Sequence, residues 1–173
     1  MRKFFTADTH FGHLNIIKYC NRPFDLEDEM TAELIKRWNE IVGNNDLVYH
    51  LGDFAFGSAD YARWVRNQLK GRIILIRGNH EKPALEAHKR WHIFEEVRDY
   101  LTTEVNGTSV VLSHYPFRSW DKMHRGALHF FGHVHGKLDR DLLPGSLDVG
   151  VDSNNFYPWS EDQLEMWFEG EVD

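Results

Sequence analysis

The sequence predicts a mixed α/β fold, in which buried strands alternate with amphipathic helices. The clearest strand is the apolar run over residues 72–76, which follows a predicted helix, as strands of parallel sheets do. Over residues 30–42, apolar side chains recur at the spacing of one helix face. Asn106 and Gly107 lie between two β-rich runs, which is typical of a hairpin turn. The chain has 173 residues, and we expect residues 1–173 to form a single domain with a sizeable core.

Strands and helices alternate in the first half of the chain. Short apolar runs predict buried strands over residues 3–7 and 47–51. Asp25 and Ser58 are each placed to cap a helix, because their side-chain oxygens can accept hydrogen bonds from N–H groups of the first turn. The predicted helices span residues 14–19, 25–42, 58–69 and 83–90.

Strands dominate the prediction for the second half of the chain. The hairpin is predicted to pair residues 97–101 with residues 108–112. Further strands are predicted over residues 127–131, 146–151 and 163–168. The intervening segment 117–125 is predicted to be a loop or a short helix, and it carries the basic residues Arg118, Lys122, His124 and Arg125.

Composition and charge exclude several classes of protein. The formal net charge is -7 and the pI is about 5.9, which argues against a surface that coats nucleic acid. The single cysteine, Cys20, excludes an internal disulfide framework and is typical of the reducing cytoplasm, where we expect the protein to work. No apolar stretch approaches the length of a membrane span, so no membrane partner is expected. The oligomeric state stays open.

Side chains that can bind metal ions follow the predicted strands at their carboxyl ends. One residue separates Asp8 from His10, and one separates His133 from His135, so in extended backbone each pair points to one side. In α/β sheets, ligands bind outside the carboxyl ends of the strands. We therefore expect one site to collect Asp8, His10, Asp53, Asn79, His80, His114, His133 and His135.

This set of donor groups is too large for one metal ion and suits two. A carboxylate such as that of Asp53 could bridge the two ions, with one oxygen on each. Carboxylate, amide and imidazole donors favour manganese, iron, zinc, cobalt or nickel over a thiolate-type zinc site. The sequence therefore predicts a centre for two divalent metal ions.

The order of these motifs resembles the calcineurin-like metallophosphoesterases. From Asp8 to His135 the chain reads Asp-x-His, Gly-Asp, Gly-Asn-His, His and Gly-His-x-His, each after a predicted strand. Residues 148–152 resemble the strand that follows in small bacterial and phage members of the family. The resemblance implies a metal-dependent phosphoesterase with a four-layer α/β/β/α sandwich that contains two mixed β-sheets.

The resemblance also implies a role for each residue of the centre. His80 would protonate the leaving oxygen, and Glu81 would orient His80 or pair with its charge. A metal-bound hydroxide would attack phosphorus. Two divalent ions are implied, with Mn²⁺ expected and Fe, Zn, Ni or Co open. One ion would be held by Asp8, His10, Asp53 and His135, and the other by Asp53, Asn79, His114 and His133.

The chain departs from the family pattern where phosphate is bound. Family members often follow Gly-Asp with an Asp-Arg pair, whose arginine helps to bind phosphate, but here residues 54–57 read Phe-Ala-Phe-Gly. Phe11, Phe54 and Phe56 either pack locally or form an apolar wall for a nucleobase or aryl group. The candidates for phosphate binding are His13, Arg22 and Arg118, together with Lys122, His124 and Arg125.

We therefore expect a phosphodiesterase that acts on a small phosphate ester or nucleotide-like substrate. A phosphomonoesterase and a nucleotide pyrophosphatase are the alternatives within the same chemistry. A nuclease is less favoured because the net charge is -7, unless residues 118–125 form a local basic strip. A non-catalytic metal-binding scaffold is the alternative outside enzymes, and the retention of His80 argues against it. The natural substrate stays open.

Overall fold

Two β-sheets and five α-helices make up the fold in this computed structural model, which describes residues 1–138 and 140–170. The single-domain prediction also spans residues 139 and 171–173, which lie outside the described residues. The strands are β1 (Lys3–Thr6), β2 (Leu47–His50), β3 (Arg72–Ile76), β4 (Glu96–Arg98), β5 (Tyr100–Val105), β6 (Thr108–Ser113), β7 (Leu128–Phe131), β8 (Ser146–Asp148) and β9 (Trp159–Ser160). The helices are α1 (Leu14–Tyr19), α2 (Glu27–Ile41), α3 (Ala59–Gln68), α4 (Lys82–Trp91) and α5 (Glu161–Glu169).

Both sheets are mixed. The first has the strand order β4-β3-β2-β1-β9, with β1 to β4 parallel and β9 antiparallel to β1. The second has the order β5-β6-β7-β8, with β5 antiparallel to β6 and with β6, β7 and β8 parallel. Parallel strands end at the same edge of a sheet. The segments that follow β1, β2 and β3 therefore emerge side by side, as do those that follow β6 and β7.

Helices α1 to α4 contribute to the apolar cluster on one face of the first sheet. The longest, α2, buries Met30, Leu34 and Trp38, which recur every four residues and so lie along one face of the helix. These side chains pack in one cluster with Phe4 of β1 and Val48 of β2. Among the helices that the structure describes, none is long and apolar enough to cross a lipid bilayer.

Aromatic side chains join the two sheets face to face. Successive residues of a strand point to opposite faces, so Phe4 packs against the helices and Phe5 points toward the second sheet. The ring of Phe5 stacks on Tyr49, with centroids 5.1 Å apart, and meets the edge of Phe130 at 5.2 Å. This contact links β1 and β2 to β7 and fixes the distance between the sheets.

The second sheet is covered on its far side by the segment 114–126. This segment contains a short 3-10 helix, Met123–Arg125. Val111, Trp120 and Ala127 form a small buried cluster beneath it. The indole N–H of Trp120 donates to the carbonyl oxygen of Ala127, at 2.7 Å. The prediction of an α/β fold with two mixed sheets is confirmed.

The structure corrects the last predicted element, because residues 163–168 belong to helix α5 and not to a strand. Ser160 caps this helix. Its hydroxyl accepts a hydrogen bond from the backbone N–H of Gln163, and the Gln163 side chain accepts one from the N–H of Ser160. This reciprocal capping box stabilises the first turn. Leu164 and Phe168 then face the space between the sheets at helical spacing.

Three further boundaries differ from the prediction. The predicted strand 146–151 is shorter, because β8 ends at Asp148 and Val151–Ser153 form a short 3-10 helix. The predicted strand 97–101 is divided between the sheets, because β4 pairs with β3 and β5 pairs with β6. Helix α2 begins at Glu27 and Asp25 does not cap it; three acidic residues in the first turn face the positive end of the helix dipole instead. The predicted turn is confirmed, since Asn106 and Gly107 both have positive φ angles, of 46° and 84°.

Substitution of Phe130 tests the contact between the sheets. Phe130→Ala should lower the free energy of unfolding by about 3–5 kcal/mol, because it removes a fully buried ring. Leu26→Ala, at a side chain that is 65% exposed, should change this free energy by less than about 0.5 kcal/mol. Urea denaturation followed by circular dichroism measures both. If both substitutions lowered the free energy of unfolding by similar small amounts, the contact of Phe130 between the sheets would not stabilise the core.

Candidate metal centre and active site

The residues that follow the parallel strands converge into two clusters of potential metal ligands. In each cluster, one ligand atom of every member lies within 4.8 Å of those of the other members. Both sheets contribute to both clusters, so the centre lies where the two sheets meet. The first cluster contains Asp8, His10 and His135, and the second contains Asp53, His114 and His133.

The carboxylate of Asp53 lies between the two clusters. Its Oδ2 is 3.5 Å from Nε2 of His10, and its Oδ1 is 3.7 Å from Nε2 of His114. Each oxygen of this carboxylate therefore faces a different cluster. This is the arrangement required of a carboxylate that bridges two metal ions.

Asn79 adds an amide oxygen to the second cluster. Nδ1 of His114 donates to the carbonyl oxygen of Leu51, at 2.7 Å, so Nε2 of the neutral ring keeps its lone pair. Oδ1 of Asn79 lies 3.0 Å from that Nε2. Burial lowers the pKa of His114, which favours the neutral ring. Nε2 of His114 and Oδ1 of Asn79 each offer a lone pair and lie side by side, so one cation could bind both atoms.

Buried polar atoms without a partner mark the first cluster. Asp8 is fully buried, and its Oδ1 has no hydrogen-bond partner among the described residues. Both ring nitrogens of His10 are in the same situation. Burial raises the pKa of Asp8 and lowers that of His10. Unsatisfied buried acceptors are costly, and a bound cation would satisfy them, so the residues present fit a metal site.

His135 completes the first cluster and is oriented by Asp152. Its Nδ1 lies 2.7 Å from Oδ2 of Asp152, which leaves Nε2 for a metal ion. Burial lowers the pKa of His135, but the hydrogen bond to Asp152 and the nearby charge of Asp8 outweigh it and raise the pKa to about 10. The surroundings of this ring therefore favour a positive charge, which either a proton or a metal ion can supply.

The backbone at the centre is held in an uncommon conformation. Five of the predicted ligands have positive φ angles, which side chains other than glycine rarely adopt. Such conformations persist only where the surrounding structure enforces them, and they cluster at functional sites. The five are Asp8 (57°), His10 (48°), Asp53 (57°), His133 (72°) and His135 (53°).

Close packing explains the glycines of the motifs. A Cβ atom at position 78 would lie 2.2 Å from Oδ1 of Asp53, and one at position 132 would lie 2.6 Å from Oδ2 of Asp8. Neither carboxylate could keep its place beside a larger residue. Gly78 and Gly132 are therefore needed for the approach of the ligands to the neighbouring loops.

The structure corrects the role predicted for Glu81. Its buried carboxylate accepts hydrogen bonds from the backbone N–H groups of Asp53, Phe54 and Gly78, at 2.8–3.0 Å. Burial raises the pKa of Glu81 to about 7, although these N–H groups act in the opposite direction. These contacts are to backbone groups rather than to the ring of His80. Glu81 therefore holds the loop that carries the bridging carboxylate.

The structure also corrects the role predicted for Arg22. Its side chain is fully buried and forms a double hydrogen bond with Asp152, both contacts being 2.8 Å long. The guanidinium also donates to the carbonyl oxygens of Asp8 and Thr9. Arg22 thus links the first ligand motif to the carboxylate that orients His135, and it is not available to bind phosphate.

His80 and His13 line an open cavity over the two clusters. The cavity encloses about 390 Å³ and is also lined by Tyr19, Phe56 and Lys137. The ring of His13 stacks in parallel on Phe56, with centroids 4.0 Å apart. The backbone N–H of His80 donates to Oδ1 of Asp53, at 2.8 Å, and its exposed side chain faces the cavity. A substrate at the clusters would meet both rings.

Several other residues that were candidates for contact with the substrate do not line this cavity. Phe11 and Phe54 are fully buried and pack in the core, so Phe56 is the member of this group that reaches the cavity. Arg118 lines a separate pocket of about 270 Å³, together with Phe117 and Leu143. The other basic residues of that segment, Lys122, His124 and Arg125, are exposed and are not among the residues that line the cavity.

Sequence reasoning missed two supporting carboxylates. Asp152 orients His135, and Asp148 accepts hydrogen bonds from the backbone N–H groups of Gly136 and Gly150, both at 2.8 Å. Both residues lie at the ends of the segment 148–152, whose resemblance to a strand of the family implies no role for its carboxylates. Acidic residues at both ends of a predicted buried segment were the available signal, because a buried carboxylate needs partners.

Comparisons with known proteins agree with the motifs. Residues 1–147 match the model of the calcineurin-like phosphoesterase superfamily domain. An uncharacterized protein of Methanocaldococcus jannaschii is 39% identical over 172 residues, with 95% of this chain and 90% of that protein covered. The gene 66 protein of Mycobacterium phage L5 is 32% identical, with 86% of each chain covered. The crystal structure of a protein of unknown function from Aquifex aeolicus has a TM-score of 0.78 and 26% identity, with 96% of this chain and 98% of that one covered.

Substitution of Glu81 tests its role as the support of the bridging loop. In Glu81→Gln, one amide oxygen cannot replace two carboxylate oxygens that accept three N–H groups. The variant should lose about 2–3 kcal/mol of unfolding free energy without metal, and it should bind Mn²⁺ more weakly. Glu86→Gln is the matched control, because Glu86 is on the adjoining helix and pairs at the surface with Arg90. Urea denaturation and calorimetric titration provide the measurements, and equal effects in both variants would refute this role.

Proposed function

The chain belongs to the calcineurin-like phosphoesterase superfamily and is a metal-dependent phosphoesterase, and from this premise we propose that it is a dinuclear phosphodiesterase. The observation that carries the proposal is the position of Asp53, whose two oxygens face two different ligand clusters. The first ion would be held by Asp8, His10, Asp53 and His135. The second would be held by Asp53, Asn79, His114 and His133.

The donor set supports two hard or borderline divalent cations, and we propose Mn²⁺. Such ions, when bound, neutralise the charge of a phosphate and lower the pKa of a water molecule. The chain contributes the placement of the ligands, because Glu81, Asp148 and Asp152 each hold a loop or a ring of the centre. It also contributes the groups that surround the substrate.

His80 is proposed as the general acid. Its backbone is fixed to Oδ1 of Asp53, and its ring faces the cavity above both clusters. From there the imidazolium can donate a proton to the leaving oxygen as its bond to phosphorus breaks. His13 and Phe56 form a flat aromatic surface on the same cavity, against which an aryl or nucleobase substituent can stack.

The surroundings of the centre favour diesters over monoesters. A diester carries one negative charge and two substituents, whereas a monoester carries up to two charges and one substituent. Lys137 is the one lysine or arginine among the described residues that line the cavity. A second groove adjoins the cavity at Asn79, so both substituents of a diester have room. We therefore propose small phosphate diesters as substrates.

We also propose that the enzyme is a single domain and that it works in the cytoplasm.

Metal loading tests the dinuclear centre. Protein that has been stripped with a chelator should bind two Mn²⁺ ions per chain, and it should then hydrolyse bis-p-nitrophenyl phosphate faster than p-nitrophenyl phosphate. Asp53→Asn should lose most of this activity and part of the bound Mn²⁺, because an amide offers one oxygen where a bridge needs two. Asp46→Asn, at the opposite end of β2, should still bind two ions. Preference for the monoester would identify a phosphatase instead, and one ion in the parent protein would contradict the dinuclear centre.

The choice of leaving group tests His80. In His80→Ala, kcat for diphenyl phosphate should fall by about 10²–10⁴-fold, because phenolate is a poor leaving group without a proton. The loss for bis-p-nitrophenyl phosphate should be much smaller, because nitrophenolate leaves without one. Metal content should stay at two ions, and His92→Ala, at an exposed histidine, is the control. Equal losses for both substrates would contradict the role of a general acid.

A further inference from the structure

The groove that adjoins the cavity at Asn79 extends beyond the metal centre along helix α4. It encloses about 600 Å³, within the range of roughly 300–1,000 Å³ that is typical of small-molecule sites. Asn79, a predicted metal ligand, lines both this groove and the cavity that contains His80. A substrate with its scissile phosphate at the centre can therefore extend directly into the groove.

One face of helix α4 forms the long wall of the groove. The residues on this wall recur at the spacing of a single helix face, and they are Lys82, Leu85, Glu86 and Lys89. With a rise of 1.5 Å per residue, the two lysines lie about 10 Å apart along the helix. Both lysines therefore lie on the helix face that lines the groove.

The acidic side chains around the groove already have partners. Asp99 pairs with Arg77, and Glu86 pairs with Arg90. Glu81 is buried and accepts backbone N–H groups. Within residues 1–138 and 140–170, no hydrogen bond or ion pair engages the ammonium group of Lys82 or Lys89. These two lysines are therefore available to an anionic ligand, although the whole chain carries a net charge of -7.

Tyr115 connects the groove to the metal centre. Its ring lies 4.8 Å from that of His133 and 4.9 Å from that of His114, between centroids. The side chain also lines the groove and is 47% exposed. An exposed ring in this position offers a surface for the sugar or base that separates two phosphate groups.

We propose that the groove binds a second phosphate group of the same small substrate, with Lys82 and Lys89 as its ligands. This inference rests on the proposed phosphodiesterase function and narrows its substrates to esters of the nucleoside bisphosphate type. Each lysine provides a point charge for a phosphate at the surface of the protein. The volume of the groove and the net charge of -7 favour a small molecule over a nucleic-acid strand.

Calorimetric titration of the Mn²⁺-loaded protein tests the groove. Thymidine 3′,5′-bisphosphate should bind at least about fivefold more tightly than thymidine 5′-phosphate, as expected of exposed charge pairs. In Lys82→Ala/Lys89→Ala this ratio should fall to about one. Lys36→Ala, at an exposed lysine of α2, should keep it. Because both ligands are measured on each variant, a general loss of stability cancels from the ratio.

A ratio near one in the parent protein, or an unchanged ratio in the double variant, would overturn the proposal. An oligonucleotide that binds more than tenfold more tightly than the bisphosphate would overturn the assignment to a small substrate. Hydrolysis of bis-p-nitrophenyl phosphate, which has no second phosphate, reports on the proposed function separately. If the protein does not hydrolyse this diester but still prefers the bisphosphate, the phosphodiesterase function is wrong and phosphate binding in the groove is supported. If it hydrolyses the diester but does not prefer the bisphosphate, only the proposal about the groove is wrong.

Discussion

Buried carboxylates at the strand ends are the constraint on which the rest of the structure depends. Asp8, Asp53 and Glu81 are each at most 2% exposed, and a buried carboxylate is costly unless hydrogen bonds or a cation compensate for the loss of water. Each accepts an N–H group from a loop that follows a different strand. The donors are His133 for Asp8, His80 for Asp53, and the three loop residues already described for Glu81. The loops and the carboxylates therefore hold each other in place.

The same constraint explains why the centre needs cations. Hydrogen bonds satisfy some of the carboxylate oxygens, but Oδ1 of Asp8 and both nitrogens of His10 have no hydrogen-bond partner in the described part of the chain. Arg22 lies behind the first cluster and binds Asp152, so it does not neutralise the ligands directly. Two divalent ions would compensate for these charges and would also attract an anionic phosphate ester to a protein whose net charge is -7.

The gathering of potential ligands could be predicted from the sequence because side chains collect at the carboxyl ends of parallel strands. The expected extended backbone was wrong, since Asp8, His10, His133 and His135 have positive φ angles, and His133 and His135 lie in different clusters. The supporting contacts depend instead on residues that are distant in the chain. Glu81 binds a loop 28 residues away, and Arg22 binds a carboxylate 130 residues away. Local patterns carry no signal of such pairs. Helix α5 differs, because the spacing of Ser160 and Gln163 was a local sign of a capping box that the strand prediction overlooked.

We propose that two metal ions lie on either side of Asp53. Anomalous diffraction at the manganese absorption edge, from crystals grown with Mn²⁺, tests it directly. Two anomalous peaks are expected, with Asp53 between them. One should lie beside Asp8, His10 and His135, and the other beside Asn79, His114 and His133. A single peak, or two peaks of which neither lies beside Asp53, would contradict it.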